Sequence, residues 1–138
     1  MTEMMAKRNF IAQVACIPEI TAFVTERAEL AGLNPKRLMQ LELVVEEAVI
    51  NICNYAYEVP PGDVTVLIHN DAKKFVMEFE DGGIPFDPLA EIEPDIKLGL
   101  DEREAGGLGI FLIRRMTDEV HYRRVDGRNI LSVAINIV

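Results

Sequence analysis

The first indication of the fold comes from residues 46–55, which read EEAVINICNY. Glu47 and Asn51 are four residues apart, so on a helix they are neighbours on one face. Asparagine is a poor helix former because its amide competes for backbone partners. The oxygen of Asn51 suits Mg²⁺, which takes few protein ligands, and Glu47 beside it suits a general base or a water-orienting group. The alternative is a solvated helix face, since exposed Glu and Asn are common.

A long helix surrounds this stretch. Asn34 followed by Pro35 is typical of a helix N-cap with proline at the first helical position. Apolar residues then recur at three- and four-residue spacing until Pro60-Pro61-Gly62 interrupts the pattern. The pattern predicts one helix from Pro35 to about Tyr57.

The remaining elements are predicted from apolar periodicity and turn residues. Their approximate bounds are a strand at 7–15, a helix from Pro18 to Gly32, strands at 64–69 and 75–80, a helix at 108–117, and strands at 120–125 and 128–138 joined by Asp126-Gly127. This order predicts an α/β (α+β) fold, a two-layer sandwich with helices on one face of a mixed, mostly antiparallel sheet.

Composition restricts the class of protein. The length of 138 residues fits a single domain, 1–138. The net charge of −9 argues against a nucleic-acid partner, because that binding depends on clustered Lys and Arg. The sequence has no apolar run long enough for a membrane span and no secretory signal, and its two cysteines form neither a disulfide framework nor a zinc motif. We therefore expect a cytoplasmic domain that binds neither nucleic acid nor membrane.

Asp81 is a second polar residue within an apolar pattern. By strand alternation it shares a face with Phe75, Met77 and Phe79. A buried carboxylate needs hydrogen-bond donors, and the exocyclic amine of an adenine is one such donor. Gly83, two residues further on, leaves room for a flat base to approach the backbone. The alternative is an aspartate in the turn that ends the strand, since Asp and Gly are common in turns.

A glycine-rich segment, Gly106-Gly107-Leu108-Gly109, precedes the apolar helix pattern at 110–113. Backbone N–H groups and the positive end of the helix dipole suit a phosphate at such a position. The segment is neither a Walker loop nor a Rossmann fingerprint, because no Gly-Lys-Ser/Thr follows and position 112 is leucine. A flexible connection into the helix is the alternative.

The order and spacing of Glu47-x-x-x-Asn51, of residues 81–88 (DGGIPFDP) and of the glycine-rich segment resemble the N, G1 and G2 boxes of the GHKL, or Bergerat, ATP-binding fold. Within that superfamily of histidine-kinase-like ATPases, the chain looks like the bacterial anti-sigma-factor serine/threonine kinases. The resemblance covers about residues 10–138, and the Asp-x-Gly-x-Pro-Phe-Asp-Pro pattern is characteristic of this branch.

The resemblance implies ATP and Mg²⁺ as cofactors. It implies that Asn51 ligates Mg²⁺, that Glu47 is the catalytic base for a serine or threonine hydroxyl, and that Asp81 reads the adenine amine. The implied nucleotide-binding residues are Asn51, Asp81, Gly83, Pro85, Gly106, Gly107, Leu108 and Gly109. The acidic segment from about 86 to 106 corresponds to an ATP lid.

The resemblance also implies a substrate and partners. The family's substrate is a small anti-anti-sigma protein of the STAS type, phosphorylated on serine or threonine. Its other client is a sigma factor, held inactive by a kinase homodimer. On this basis we expect a protein serine/threonine kinase that acts as an anti-sigma factor and regulates transcription without contacting nucleic acid.

Three positions depart from the family pattern. Tyr55 and Ala105 stand where some members have histidine and arginine, and the hydroxyl expected on the last hairpin has only Ser132 as a loose candidate. Without the arginine, the γ-phosphate charge depends on Mg²⁺ and backbone donors. A second hypothesis is therefore a nucleotide-gated partner-binding module with little or no phosphoryl transfer. A sensor histidine kinase fragment is disfavoured, because neither His69 nor His121 is predicted on a helix.

Overall fold

The helices and strands follow the predicted order. The computed structural model describes residues 4–59, 61–87, 89 and 109–137. Its regular elements are β1 (Met4–Ala12), α1 (Ile17–Ala31), α2 (Pro35–Asn51), β2 (Gly62–Asn70), β3 (Lys74–Asp81), α3 (Gly109–Met116), β4 (Glu119–Val125) and β5 (Arg128–Asn136). A 3₁₀ turn, Val14–Cys16, precedes α1, and a π-helical turn, Ile52–Ala56, follows α2. The predicted lid at 86–106 lies outside the described residues, except for positions 86, 87 and 89.

Capping residues place the ends of the first two helices. Gly32 ends α1 with a left-handed φ of 102°, and its N–H reaches the carbonyls of Ala28 and Glu29. The side chain of Asn34 accepts a 2.9 Å hydrogen bond from the backbone N–H of Arg37, so it caps α2 as predicted. Within the described ranges, no helix has both the length and the hydropathy that crossing a membrane requires.

The helix predicted to reach Tyr57 stops being regular at Asn51. Residues Ile52–Ala56 form a π-helical turn, and Tyr57 is extended, with φ −116° and ψ 126°. The side-chain amide of Asn51 donates a 2.8 Å hydrogen bond to the carbonyl of Glu47, so it competes with the backbone for that acceptor. The prediction of one uniform helix was wrong in this last turn, which widens directly after Asn51.

The five strands form one sheet in the order β1-β2-β3-β5-β4. All the pairings within the described residues are antiparallel. We expected a mixed, mostly antiparallel sheet, and the described strands include no parallel pair. Asp126 and Gly127 have positive φ angles of 49° and 78° and form the predicted tight turn between β4 and β5. β1 begins at Met4 rather than at residue 7, because pairing with β2 sets its ends.

Helices α1, α2 and α3 cover one face of the sheet. Along β3, buried residues alternate with partly exposed ones, so one face of the strand meets the helices and the other meets solvent. The core between the layers is apolar, and its largest fully buried side chains are Phe75, Phe79, Ile20, Leu41, Ile68, Met77, Ile113 and Ile135. The two-layer sandwich predicted from the sequence is confirmed.

Candidate functional site

A small pocket lies between the end of α2 and one end of the sheet. Its wall is mostly apolar and includes a few polar side chains, which is the usual character of a small-molecule site. The residues that line it are Ala48, Asn51, Ile52 and Ala56 from α2 and the π-helical turn, Phe79 and Asp81 from β3, Phe86, and Tyr122, Asn129 and Leu131 from β4 and β5.

The register of the sheet builds the polar end of this pocket. Asp81 on β3 lies opposite Asn129 on β5, and Asn129 lies opposite Arg124 on β4. Residues directly opposite each other in an antiparallel pair share a face, so these three side chains form one row across three strands. The neighbouring row includes Phe79 opposite Leu131, which gives the pocket its apolar floor.

Asp81 is buried, with 4% of its surface exposed. Its Oδ1 accepts hydrogen bonds of 2.9 Å from the Gly83 N–H and from Nδ2 of Asn129. No described residue donates to Oδ2, so this oxygen is an available acceptor on the pocket wall. Burial raises the pKa of Asp81, although the two hydrogen bonds and the charges of Arg128 and Arg124 oppose that rise. The carboxylate is therefore part of the site as well as of the turn after β3.

Gly83 is required by a close backbone approach. A Cβ added to Gly83 would lie 2.1 Å from the carbonyl oxygen of Ala56, at the end of the π-helical turn. The same carbonyl accepts a 2.8 Å hydrogen bond from the N–H of Ile84, which joins the two segments. Among the described residues, neither Gly83 nor Pro85 lines the pocket itself.

We expect Gly83→Ala to lower the free energy of unfolding by about 1–3 kcal/mol, the usual cost of overpacking. The control is Gly82→Ala, because a Cβ at Gly82 would meet only the flexible guanidinium end of Arg128, at 3.2 Å. Urea unfolding of both variants measures the difference. Equal stabilities would contradict the steric role of Gly83.

Asn51 and Glu47 occupy the last turns of α2. Asn51 is 5% exposed and lines the pocket, so the interpretation as a solvated helix face is wrong for it. Its Nδ2 is bonded to the carbonyl of Glu47, and no described residue donates to its Oδ1. The Glu47 side chain is half-buried and bonded to no described residue; burial, and then the charge of Glu46, raise its pKa.

The oxygen atoms of the site suit a cation that is coordinated mainly by a bound nucleotide and water rather than by the protein. Among the described residues, no group of three His, Cys, Asp or Glu side chains is placed to bind a metal. Oδ1 of Asn51, to which no residue in the described ranges donates, is a hard oxygen ligand, which fits Mg²⁺ when phosphates and water complete its coordination. The residues present therefore fit a magnesium–nucleotide complex better than a metal site made of protein side chains alone.

The glycine-rich segment is described only at its end. Gly109 is the first residue of α3, which packs against α2, while Gly106, Gly107 and Leu108 lie outside the described residues. The predicted start of a helix after the glycines is confirmed at Gly109. The contact of the glycines with a phosphate stays a prediction.

Sequence reasoning missed Asn129, Tyr122 and Phe86 as residues of the pocket. Ser132, the hydroxyl candidate on the last hairpin, does not line the pocket and pairs instead with Glu78 on the other face of the sheet. Asn129 occupies the position opposite Asp81. Only the strand register could have singled it out, because no local pattern distinguishes it.

The chain matches the family model of the histidine kinase-like ATPase domain over residues 10–135. Because this match covers most of the sequence, the chain belongs to the histidine kinase-like ATPase domain family. The superfamily indicated by the three sequence boxes is confirmed.

Within that family, the chain is similar to proteins named as serine and threonine kinases. Serine/threonine-protein kinase BtrW of Bordetella bronchiseptica is 28% identical over 94 residues, which are 67% of this chain and 66% of that protein. Serine-protein kinase RsbW of Listeria monocytogenes is 33% identical over 100 residues, which are 67% of this chain and 62% of that protein. The chain thus spans less than two thirds of the length of these relatives.

Proposed function

We propose that this protein is an ATP- and Mg²⁺-dependent serine/threonine protein kinase. The observation that carries the proposal is one pocket lined by Asn51 and the buried Asp81, each with an oxygen to which no described residue donates. Glu47 lies one helical turn before Asn51. The family and the names of the similar proteins support the same activity.

In this proposal the pocket holds the adenine and α2 faces the phosphates. Oδ2 of Asp81 accepts from the exocyclic amine and Asn51 Oδ1 ligates Mg²⁺. Gly83 and Pro85 belong to the loop after Asp81, where the Gly83 N–H holds the carboxylate. Gly106, Gly107, Leu108 and Gly109 wrap the phosphates, and the segment 86–106 acts as a lid. When bound, ATP would supply the phosphoryl group, and Mg²⁺ would neutralise part of the charge on its phosphates.

Glu47 is the proposed catalytic base. Its carboxylate accepts the proton of a serine or threonine hydroxyl as that oxygen attacks the γ-phosphorus. The bond from this phosphorus to the β–γ bridging oxygen breaks, and ADP leaves. The raised pKa of Glu47 makes it a better proton acceptor than an ordinary exposed carboxylate once it is ionised. Asn51, one turn away, would hold the Mg²⁺ that accompanies the nucleotide.

The proposed substrate is a STAS-type anti-anti-sigma protein, and a sigma factor is the proposed second client of a cytoplasmic kinase homodimer. The support is the similarity to proteins named RsbW and BtrW, together with the resemblance to anti-sigma-factor kinases. The test is incubation with γ-labelled ATP, Mg²⁺ and the STAS protein encoded nearest in the genome. We expect label on a serine or threonine of that protein; ATP binding with no label on it would contradict kinase activity.

A nucleotide-gated binding module with little or no transfer is the second candidate. Position 105 is alanine where some family members carry arginine. Arg124 is a cation near the pocket, but it is bonded to the carbonyl of Gly83 and to Oδ1 of Asn129. These bonds hold it beside Asp81, at the base end of the proposed site rather than at the phosphate end. This candidate predicts ATP-dependent capture of the STAS protein without label transfer.

We expect Asn51→Ala to remove most of the gain in ATP affinity that Mg²⁺ provides, about tenfold or more, equivalent to at least ~1.4 kcal/mol. The variant should fold, because alanine is the better helix former. Calorimetric titrations of ATP with and without Mg²⁺ measure the effect. Asn54→Ala, an exposed asparagine one turn further on, is the control; an Asn51→Ala protein with the full magnesium effect would exclude Asn51 as the ligand.

A further inference from the structure

Asn129, on β5, is hydrogen-bonded to β3, to β4 and to the loop after β3. It is 4% exposed. Its Nδ2 donates to Oδ1 of Asp81 at 2.9 Å and to the carbonyl of Ile84 at 2.7 Å. Its Oδ1 accepts from the Tyr122 hydroxyl at 2.5 Å and from the Arg124 guanidinium at 3.0 Å.

The surroundings of Asn129 determine which way its amide points. Oδ1 also accepts a 3.3 Å hydrogen bond from the backbone N–H of Phe86. Because an arginine and a backbone N–H can only donate, the amide oxygen must face them. The nitrogen must then face Asp81 and the Ile84 carbonyl, and both of its hydrogens are used.

This orientation fixes the direction of the Asp81 carboxylate. Oδ1 of Asp81 receives two N–H donors, from Asn129 and from Gly83, so it carries no proton and cannot rotate away without losing both. No described residue donates to the remaining oxygen, Oδ2, so in the ionised form this oxygen is left to the ligand as an acceptor. A carboxylate held in this way distinguishes bases by whether they present a donor to it.

We propose that Asn129 is a specificity-determining residue that positions Asp81 to select a purine with an exocyclic amine. This inference rests on the proposed nucleotide site and deepens it. Asn129 acts through Asp81 rather than by reacting, and it also ties the Ile84–Phe86 backbone to β4. Loss of its amide frees the carboxylate to rotate, so the preference for adenine should weaken more than nucleotide binding as a whole.

The test compares Mg-ATP with Mg-ITP, whose base has a carbonyl in place of the amine. Calorimetry gives the ratio of their dissociation constants for the wild type, Asn129→Ala and the control Ser132→Ala, which alters the same strand on its other face. We expect the wild type and the control to favour ATP, and we expect Asn129→Ala to reduce that ratio by about tenfold. If Asn129→Ala does not fold, Asn129→Ser takes its place, because the shorter side chain cannot span the same gap to Asp81.

A purely structural role would weaken both nucleotides by the same factor, so an unchanged ratio overturns this inference alone. A wild type that binds ATP and ITP equally overturns it too, since the carboxylate would then not read the amine. If the wild type binds neither nucleotide, the proposed nucleotide site fails and the inference fails with it. A reduced ratio in the asparagine variant, with the control unchanged, supports the positioning role.

Discussion

Replacement of Asp81 by asparagine is expected to weaken Mg-ATP binding by about 100-fold, or ~2.8 kcal/mol, while the protein stays folded. The Gly83 N–H and the Asn129 Nδ2 both donate to the Oδ1 position. The new amide must therefore place its oxygen there and its nitrogen at the position of Oδ2. A donor would then face the adenine amine, where the wild-type protein presents an acceptor.

The same variant should change the preference among bases. The amide nitrogen at the Oδ2 position can donate to the carbonyl of inosine, so Mg-ITP should lose far less affinity than Mg-ATP. Calorimetric titrations with both nucleotides measure this change. Glu80→Gln is the matched control, because Glu80 is the neighbouring carboxylate on the same strand and is bonded to Arg128 on the opposite face. Unchanged ATP affinity in Asp81→Asn would remove Asp81 from base recognition.

Thermal melting of the ligand-free Asp81→Asn protein provides the folding control. Burial raises the pKa of Asp81, so its ionised form is less favourable in the folded protein than in the unfolded chain. The stability that this group contributes is present at low pH and is lost as pH rises through its folded pKa. The asparagine variant should therefore melt at a higher temperature than the wild type at neutral pH, and the difference should shrink as the pH falls.

Replacement of Glu47 by glutamine is expected to slow phosphoryl transfer by ~10²–10⁴-fold, the usual contribution of a general base. The amide keeps the size of the side chain but cannot accept the hydroxyl proton. ATP affinity should stay close to that of the wild type, because Glu47 does not line the nucleotide pocket in the described part of the chain. Single-turnover transfer to the STAS protein gives the rate. Equal rates for the variant and the wild type would exclude Glu47 as the base.

The pH dependence of transfer separates Glu47 from its neighbour. Burial and the charge of Glu46 raise the pKa of Glu47 in the ligand-free protein. The transfer rate should rise with pH as Glu47 ionises. Glu46→Gln is the matched control. It should keep the transfer rate and move the rising limb to lower pH, because one like charge is removed. Glu47→Gln should abolish that limb.

Part of the site could be predicted because it depends on local sequence. Glu47 and Asn51 share a helix face through their spacing, and Asp81 follows a strand whose alternation places it with buried residues. Asn34-Pro35 and Asp126-Gly127 marked a helix start and a hairpin turn through their own backbone preferences.

Other parts could not be predicted because they depend on pairing between distant segments. A π-helical turn follows α2 where the side chain of Asn51 competes for the Glu47 carbonyl. The spacing of apolar residues does not predict such a change in helix type. The placement of β1 followed from its partner strand. Ser132 was singled out for its hydroxyl, yet the register places it on the face away from the pocket.

By itself, the sequence determined the order of the elements, the α/β class with a mostly antiparallel sheet, and the three boxes that indicate the family, because each depends on short spacings and on turn chemistry. Only the tertiary structure decided which groups complete the pocket. Asn129 meets Asp81 across 48 residues of sequence through a strand register that no local pattern reveals. That contact leaves one oxygen of Asp81 available, because a buried carboxylate is directed by the donors around it.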